Sequence, residues 1–200
     1  TYINRYGVVP GNRTVVFTNN DDAYRTALAL HGAGAHVVVV DLRRDLRGEL
    51  IKAVRDAGIN VMSGHAVSIA AGTQRIARVE IAPVNEDGSA LLDDPIHMDC
   101  DLLAMSGGLS PAVHLHSQAR GKLGWDERLL CFKPTTTHEA SVNAGAGNGV
   151  FDIEKAVADG MKAGAVAAKA AGFSADAGEP PAVAAPKMSH WPLPAWKITN

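Results

Sequence analysis

The sequence has little of several features that would reveal its chemistry directly. Its two cysteines, Cys100 and Cys131, are far apart in the 200 residues, which excludes a disulfide-rich scaffold and the paired spacing of a zinc site. No apolar run reaches the roughly 18 residues of a membrane-spanning helix, and a net charge of −2 provides no attraction for nucleic acid. We therefore expect a cytoplasmic protein with no nucleic-acid or membrane partner.

The residues that are present are those of an ordinary globular protein. Hydrophobic residues make up 46% of the sequence and charged residues 20%, and the chain is long enough to bury a core in one or two domains. It starts at Thr1 without an initiator Met or the apolar segment of a signal peptide. We expect a piece of a longer chain.

The first 63 residues predict alternating strands and helices. The β-branched runs TVVF and HVVVVD indicate strands that are buried on both faces. Asp21 to Gly32 has apolar residues at helical spacing, a second amphipathic helix ends at Gly58, and INVMSG predicts a third strand. Parallel strands joined through helices form the unit found in dinucleotide-binding folds.

The turn after the first strand, residues 18–23 with the sequence TNNDDA, departs from that fold. A dinucleotide site has glycines here, because the pyrophosphate must approach the backbone at the helix N-terminus. Thr18 and Asn20 occupy the first two glycine positions, and Ala23 fits the third. The Asn side chain fills the phosphate space, and Asp21 and Asp22 repel a phosphate there. We expect this unit to keep the fold without binding pyrophosphate.

An alternative use of this unit rests on the end of the second strand. Asp41 has about the spacing of a ribose-binding carboxylate, and Arg43 or Arg44 could meet a 2′-phosphate. With these residues the unit would be a self-sufficient NAD(P)H-binding site. Otherwise Asp41 is a polar residue at a strand end.

The pattern changes after residue 63. Alternation in HAVSIAAG, RIARVEIAPV and IHMDCDLLAMS predicts an antiparallel meander, with a return to the parallel sheet at Leu102 to Met105. A looser segment follows, and then ASVNAGAGNG predicts a strand that ends in a glycine-rich turn. Phe151 to Gly172 predicts an alanine-rich helix, and the Pro/Ala-rich residues from Phe173 predict a linker.

Two glycine-rich turns are candidate ligand contacts. Ser106 to Gly108 follows a buried strand, and Asn143 to Gly149 precedes the long helix, where backbone amides can hold an oxygen-rich group. Chain geometry alone remains the alternative for both turns. His114 and His116 could form a metal pair on a strand, but no Cys or carboxylate completes a site, so no metal is predicted. No nucleophile or general base is evident.

These motifs resemble known proteins. The segments VMSGHAV and DLLAMSGGLSP resemble the pyridine-nucleotide domain of two-dinucleotide-binding flavoproteins such as the thioredoxin and glutathione reductases. Residues 1–172, including the TNNDDA turn, MSGGLSPAVHLHSQARGKLGWDE and AGAGNGVFDIEKAVADGMKAG, resemble the α subunits of the heterotetrameric sarcosine oxidases.

The resemblance implies an α/β fold with a Rossmann-like parallel sheet, a β-meander and the C-terminal half of a neighbouring dinucleotide-binding domain. We expect a connecting segment at 1–12, an NAD(P)-binding-like domain with a degenerate phosphate turn at 13–103, a partial dinucleotide-binding domain at 104–172 and a linker at 173–200.

The resemblance also implies a function. The family oxidises sarcosine to glycine, formaldehyde or, with tetrahydrofolate, methylenetetrahydrofolate, and hydrogen peroxide. Its α subunit holds NAD where the reductases hold FAD, while FAD and FMN belong mainly to the partner subunits and the subunit interface. The reductases have a flavin-contacting Asp at the position of Ala146, so its absence fits NAD. The implied cofactor contacts are Ser106, Gly107, Gly108, Gly145, Ala146, Gly147, Asn148 and Phe151.

The GxGxxG motif of that NAD site would lie upstream of Thr1. We therefore expect an oxidoreductase subunit segment that is inactive alone, has no catalytic residue of its own and contributes one wall of the NAD site and an assembly surface. A self-sufficient NAD(P)H-dependent flavoprotein reductase and a purely structural module are the alternatives.

Overall fold

A computed structural model of the chain describes residues 1–183. These divide into two compact units, Thr1–Gly108 and a second one that begins at Leu109. The end of the predicted linker, residues 184–200, lies outside the described residues. No helix within 1–183 combines the length and the apolar character needed to cross a bilayer.

The first unit contains three helices and seven strands. They are α1 (Tyr2–Tyr6), β1 (Arg13–Thr18), α2 (Asp22–Gly32), β2 (His36–Asp41), α3 (Glu49–Asp56), β3 (Asn60–Ser63), β4 (His65–Gly72), β5 (Ile76–Pro83), β6 (Ile96–Asp99) and β7 (Leu102–Ser106).

Four of these strands form a parallel sheet in the order β3-β2-β1-β7. The register pairs Thr18 of β1 with Asp41 on one side and with Ser106 on the other, so that three strands end at one edge. Strands β4, β5 and β6 form a separate antiparallel sheet. The predicted α/β class, with a parallel sheet and a meander, is confirmed.

The alternating side chains of the parallel strands belong to two cores. Val16 and Val39 pack with α2 and α3 around Tyr24. Val15 and Val40 pack on the other face with residues of the antiparallel sheet. Because both faces are covered, these strands are apolar throughout rather than alternating, which is the pattern expected for buried parallel strands.

The second unit contains α4 (His114–Gln118), a hairpin of β8 (Leu123–Asp126) and β9 (Cys131–Pro134), a 3-10 helix at Gly145–Asn148 and α5 (Ile153–Ala170). The side chain of Asp152 caps α5 by accepting a hydrogen bond from the Lys155 amide at 3.0 Å. The long helix predicted from residue 151 is therefore present.

One expectation for this unit was wrong. Residues 140–144 pair with no strand in the described part of the chain, and the glycine-rich segment that follows them is a 3-10 helix. His114 and His116, which could have formed a metal pair only on a strand, lie on α4. A strand needs a neighbouring strand to satisfy its backbone groups, and local sequence does not show whether one is present.

Candidate functional site

The carboxyl edge of the parallel sheet in the first unit is where such folds bind nucleotides. The TNNDDA turn lies here, after β1 and before α2, and its residues other than Asp22 are almost completely buried, with 5% exposure at Asn19, 3% at Asn20 and 5% at Asp21. A site that receives a ligand from solvent would leave such a turn accessible. The burial shows that protein atoms cover it.

Asn20 fills the space beside the turn. Its Nδ2 group donates to the carbonyl and to the hydroxyl oxygen of Ser106, both at 3.0 Å. Its Oδ1 atom accepts from the amide of Asp22 at 3.1 Å, which is one of the free N–H groups at the start of α2. The side chain therefore satisfies the groups that a phosphate would otherwise contact.

A network of four buried side chains, which we term the buried tetrad, joins Asp21, Tyr24, Asp41 and Arg43. The Arg43 guanidinium bridges two carboxylates, with Nη1 2.8 Å from Asp21 Oδ1 and Nη2 2.8 Å from Asp41 Oδ2. Its Nε atom also donates to Asp41 Oδ1 at 3.1 Å. Tyr24 donates its hydroxyl to Asp41 Oδ2 at 2.8 Å.

The protonation of the tetrad follows from burial and charge. Burial raises the pKa of Tyr24, and the adjacent Asp41 carboxylate raises it further, so the phenol stays neutral and donates. Burial alone would lower the pKa of Arg43. The hydrogen bonds and charges of Asp41 and Asp21 outweigh that effect and raise the pKa, so the guanidinium stays charged.

The tetrad accounts for the residues that could have bound a nucleotide in this unit. Asp41 is fully buried and accepts from Tyr24, from Nε and Nη2 of the Arg43 guanidinium and from the Arg43 amide at 2.9 Å. Arg44 donates to the carbonyl of Val84 on the meander side. The side chains proposed for a ribose and a 2′-phosphate thus bind groups of the protein itself.

Sequence reasoning missed the pairing of Asp21 with Arg43. The available signal was an Asp-x-Arg at the end of β2, opposite an acidic residue at the start of α2. Two strand ends that are adjacent in a parallel sheet bring such charges together. The two acidic residues of the turn are therefore not equivalent, since Asp22 pairs with Arg25 at the surface, at 3.7 Å.

The Ser106–Gly108 loop combines buried and exposed groups. Ser106 is half-buried, and its carbonyl accepts from the Thr18 hydroxyl at 3.2 Å as well as from Asn20. Gly107 and Gly108 are exposed. A Cβ atom added to Gly107 would meet no atom within 4 Å, so no described neighbour explains a glycine there.

The turn of the second unit, Gly145–Asn148, is named here the glycine turn. Its carboxylate partner comes from α5, where Asp159 Oδ2 accepts from the Gly145 amide at 2.9 Å and lies 3.4 Å from Asn148 Nδ2. Ala146 is exposed, and a Cβ atom added to Gly147 would meet no atom within 4 Å. Phe151 follows the turn and is half-buried.

His116 anchors the other end of this loop. The ring is 6% exposed, with Nε2 2.9 Å from the Lys122 carbonyl and Nδ1 3.0 Å from Asn143 Nδ2. Both ring nitrogens are therefore engaged with protein groups. No cluster of three or more His, Cys, Asp or Glu side chains suited to a metal occurs in residues 1–183.

The TNNDDA turn and the glycine turn differ in whether a dinucleotide could approach their backbones. The TNNDDA turn does not fit one, because Asn20 binds Ser106 and Asp21 binds the buried Arg43 guanidinium. The glycine turn leaves Ala146 exposed and Gly147 unobstructed, so its backbone can be approached closely. Ala146 and Gly147 are thus open to close approach by another group, whereas the Gly145 amide is already engaged by Asp159.

The chain is similar in sequence to known proteins. The chain is 38% identical over 202 residues to the sarcosine oxidase subunit alpha of Corynebacterium sp. strain P-1, and 38% identical over 203 residues to that of strain U-96. Each match covers 100% of this chain and 20% of the relative, so the chain spans about one fifth of these relatives. No family model matches.

The fold of this chain resembles that of a solved protein structure. Thioredoxin reductase from T. acidophilum superposes with a TM-score of 0.65 at 17% identity, over 84% of this chain and 55% of that one. The resemblance to the sarcosine oxidase α subunits is confirmed by the sequence matches, and the reductase-like fold by the superposition.

Proposed function

We propose that this chain, a relative of one segment of the sarcosine oxidase α subunits, belongs to a flavin-dependent oxidoreductase that demethylates sarcosine. The products would be glycine, hydrogen peroxide and either formaldehyde or, with tetrahydrofolate, methylenetetrahydrofolate. The sequence match over the full length of the chain supports this proposal. The other subunits, which carry FAD and FMN, would be its partners in a cytoplasmic heterotetramer.

Within this assembly we assign the first unit an architectural role. The single observation behind this assignment is the Arg43 guanidinium, 4% exposed, held between Asp21 and Asp41 where a dinucleotide would bind. A fold whose binding groups satisfy one another keeps its shape without a cofactor. This unit would therefore support the rest of the subunit rather than bind NAD(P)H.

We assign NAD contacts of the intact subunit to the backbones of two segments, each within its own unit. One is the Ser106–Gly108 loop, and the other runs from the glycine turn to Phe151. When bound, NAD supplies a nicotinamide ring that can accept a hydride. Each segment would contact the dinucleotide through backbone amides. Ala146 lacks the carboxylate that the reductases have at this position, which favours NAD over FAD. The chemistry on sarcosine would take place elsewhere in the enzyme.

The assembled, full-length complex tests this proposal. We expect oxygen consumption with sarcosine, hydrogen peroxide as a product and bound NAD released on denaturation. We also expect Asp41→Asn to leave the NAD content per folded complex unchanged. A complex that does not oxidise sarcosine would contradict the assigned activity.

The same preparation separates the alternatives. A self-sufficient reductase would oxidise NADH with micromolar affinity and lose that affinity in Asp41→Asn. A purely structural segment would give a complex whose NAD content does not respond to changes at Gly107 or Gly147.

A further inference from the structure

The loop that contains the glycine turn is not held by a β-ladder. Residues 140–144 form no strand among the described residues, yet the loop has two side-chain anchors. His116 of α4 contacts Asn143 at 3.0 Å, and Asp159 of α5 accepts from the Gly145 amide at 2.9 Å. Backbone hydrogen bonds from Gly149 to Ala146 and from Val150 to Gly145 shape the turn itself, and the two side-chain contacts join the loop to α4 and α5.

Asp159 is an unusual residue for its place on the helix. Most residues of α5 are good helix formers such as Ala and Lys, whereas Asp disfavours a helix interior because its side chain competes for backbone hydrogen bonds. Asp159 lies well inside Ile153–Ala170, beyond the first turn where an acidic residue would stabilise the helix dipole. Neither helix propensity nor the helix dipole therefore accounts for this carboxylate.

The glycine turn does gain from it. The first amides of a short 3-10 helix have no partner inside the helix, and the half-buried Asp159 supplies one for Gly145. The same oxygen lies 3.4 Å from Asn148 Nδ2, so one carboxylate contacts both ends of the turn. Hydrogen bonds to an ionised acceptor are stronger and better oriented than those between neutral groups.

We propose that Asp159 is a positioning residue for the cofactor: it fixes the glycine turn so that the backbone at Ala146 and Gly147 faces the dinucleotide. This inference rests on the proposed function, because it deepens the assignment of NAD contacts to this turn. Asp159 acts through the turn and makes no contact with the reacting atoms. His116 supports the same loop from Asn143.

The test uses the assembled, full-length complex with Asp159→Ala, Asp159→Asn and the control Asp176→Ala. Asp176 is 97% exposed and pairs with Lys169 at 3.5 Å. The control therefore removes an aspartate from the same unit at an exposed position. Two quantities are measured: the Kd for NAD after its removal and re-addition, and amide exchange at residues 143–150 without NAD.

Asp159→Ala is expected to weaken NAD binding about tenfold, the loss of roughly one charge-assisted hydrogen bond, and to accelerate exchange at Gly145. Asp159→Asn retains an acceptor oxygen, so it should stay within about threefold of wild type, and the control should match wild type. Should Asp159→Ala fail to assemble, Asp159→Glu displaces the carboxylate by one methylene and should produce the same two changes.

Wild-type NAD affinity and exchange in Asp159→Ala, or in Asp159→Glu where it replaces that variant, would overturn the inference. A wild-type complex that binds no NAD would instead contradict the proposed function. In that case the exchange data alone decide whether Asp159 holds the turn, since they are collected without NAD.

Discussion

The TNNDDA turn and the glycine turn each precede a helix, but their polar groups are used in opposite ways. The first is mostly buried, with Asn20 bound to Ser106 and Asp21 bound to Arg43. The second is held by one carboxylate and leaves Gly147 unobstructed. The polar groups of the first turn are thus satisfied within the protein, whereas the second turn leaves space beside its backbone. Variants of the two turns can test this contrast.

The tetrad should respond most strongly to the loss of Arg43. Arg43→Met removes the guanidinium that bridges the buried Asp21 and Asp41 carboxylates, and removing one partner of a buried ion pair costs about 3–5 kcal/mol. We expect the free energy of opening in β1 and β2 to fall by that amount, as measured by hydrogen exchange in the full-length protein.

Arg47→Met is the matched control for this change. Arg47 pairs with Asp45, but their side chains are 75% and 64% exposed, so the same substitution should cost less than about 1 kcal/mol. Equal effects of the two variants would show that the tetrad is no more important than a surface ion pair.

Tyr24 tests whether the network depends on every donor. Tyr24→Phe keeps the buried ring but removes the hydroxyl that donates to Asp41 at 2.8 Å. A hydrogen bond to a charged group contributes about 1.5–3 kcal/mol, so the opening free energy of β2 should fall within that range. Tyr6→Phe, at a residue that is 61% exposed, is the control. A loss below about 0.5 kcal/mol would mean that another donor replaces the hydroxyl.

The glycines at 147 and 149 have two possible explanations, close approach of a ligand and the geometry of the chain. Single substitutions can separate them. Gly149 has φ +79°, and an added Cβ would lie 3.1 Å from Leu129 Cδ1, so Gly149→Ala should cost about 1–2 kcal/mol in local stability. Gly147 has neither constraint. We expect Gly147→Ala to leave hydrogen exchange unchanged and to reduce the NAD content of the complex. Unchanged NAD content in Gly147→Ala would favour chain geometry.

Much of the first unit followed from local sequence. The β-branched runs predicted β1 and β2, because only strands covered on both faces are apolar throughout. The filling of the space beside the turn was predictable from the Asn20 side chain, which is larger than the glycine of a dinucleotide site. The ion pair between Asp21 and Arg43 was not predicted, since it depends on which strand ends are adjacent in space.

The second unit was harder to predict for a related reason. The alanine-rich periodicity of α5 marks a helix without reference to its surroundings, whereas residues 140–144 have strand-like composition but no described partner. His116 and Asp159 acquire their roles from contacts with Asn143 and Gly145, across 27 and 14 residues of sequence. No periodic pattern encodes such contacts.

The smallest expected effect concerns the surface of the second unit under acid. A hydrogen bond from Lys133, at 2.7 Å, lowers the pKa of Asp126, and backbone amides including that of Leu129 lower it further. A carboxyl whose pKa is lowered by folding adds stability above its unfolded pKa and loses it as the pH falls through the folded one. The β8–β9 hairpin should therefore exchange faster below about pH 4, relative to the intrinsic rate. Asp126→Asn should reduce this dependence, and an identical pH profile in the variant would assign the acid response to other carboxylates.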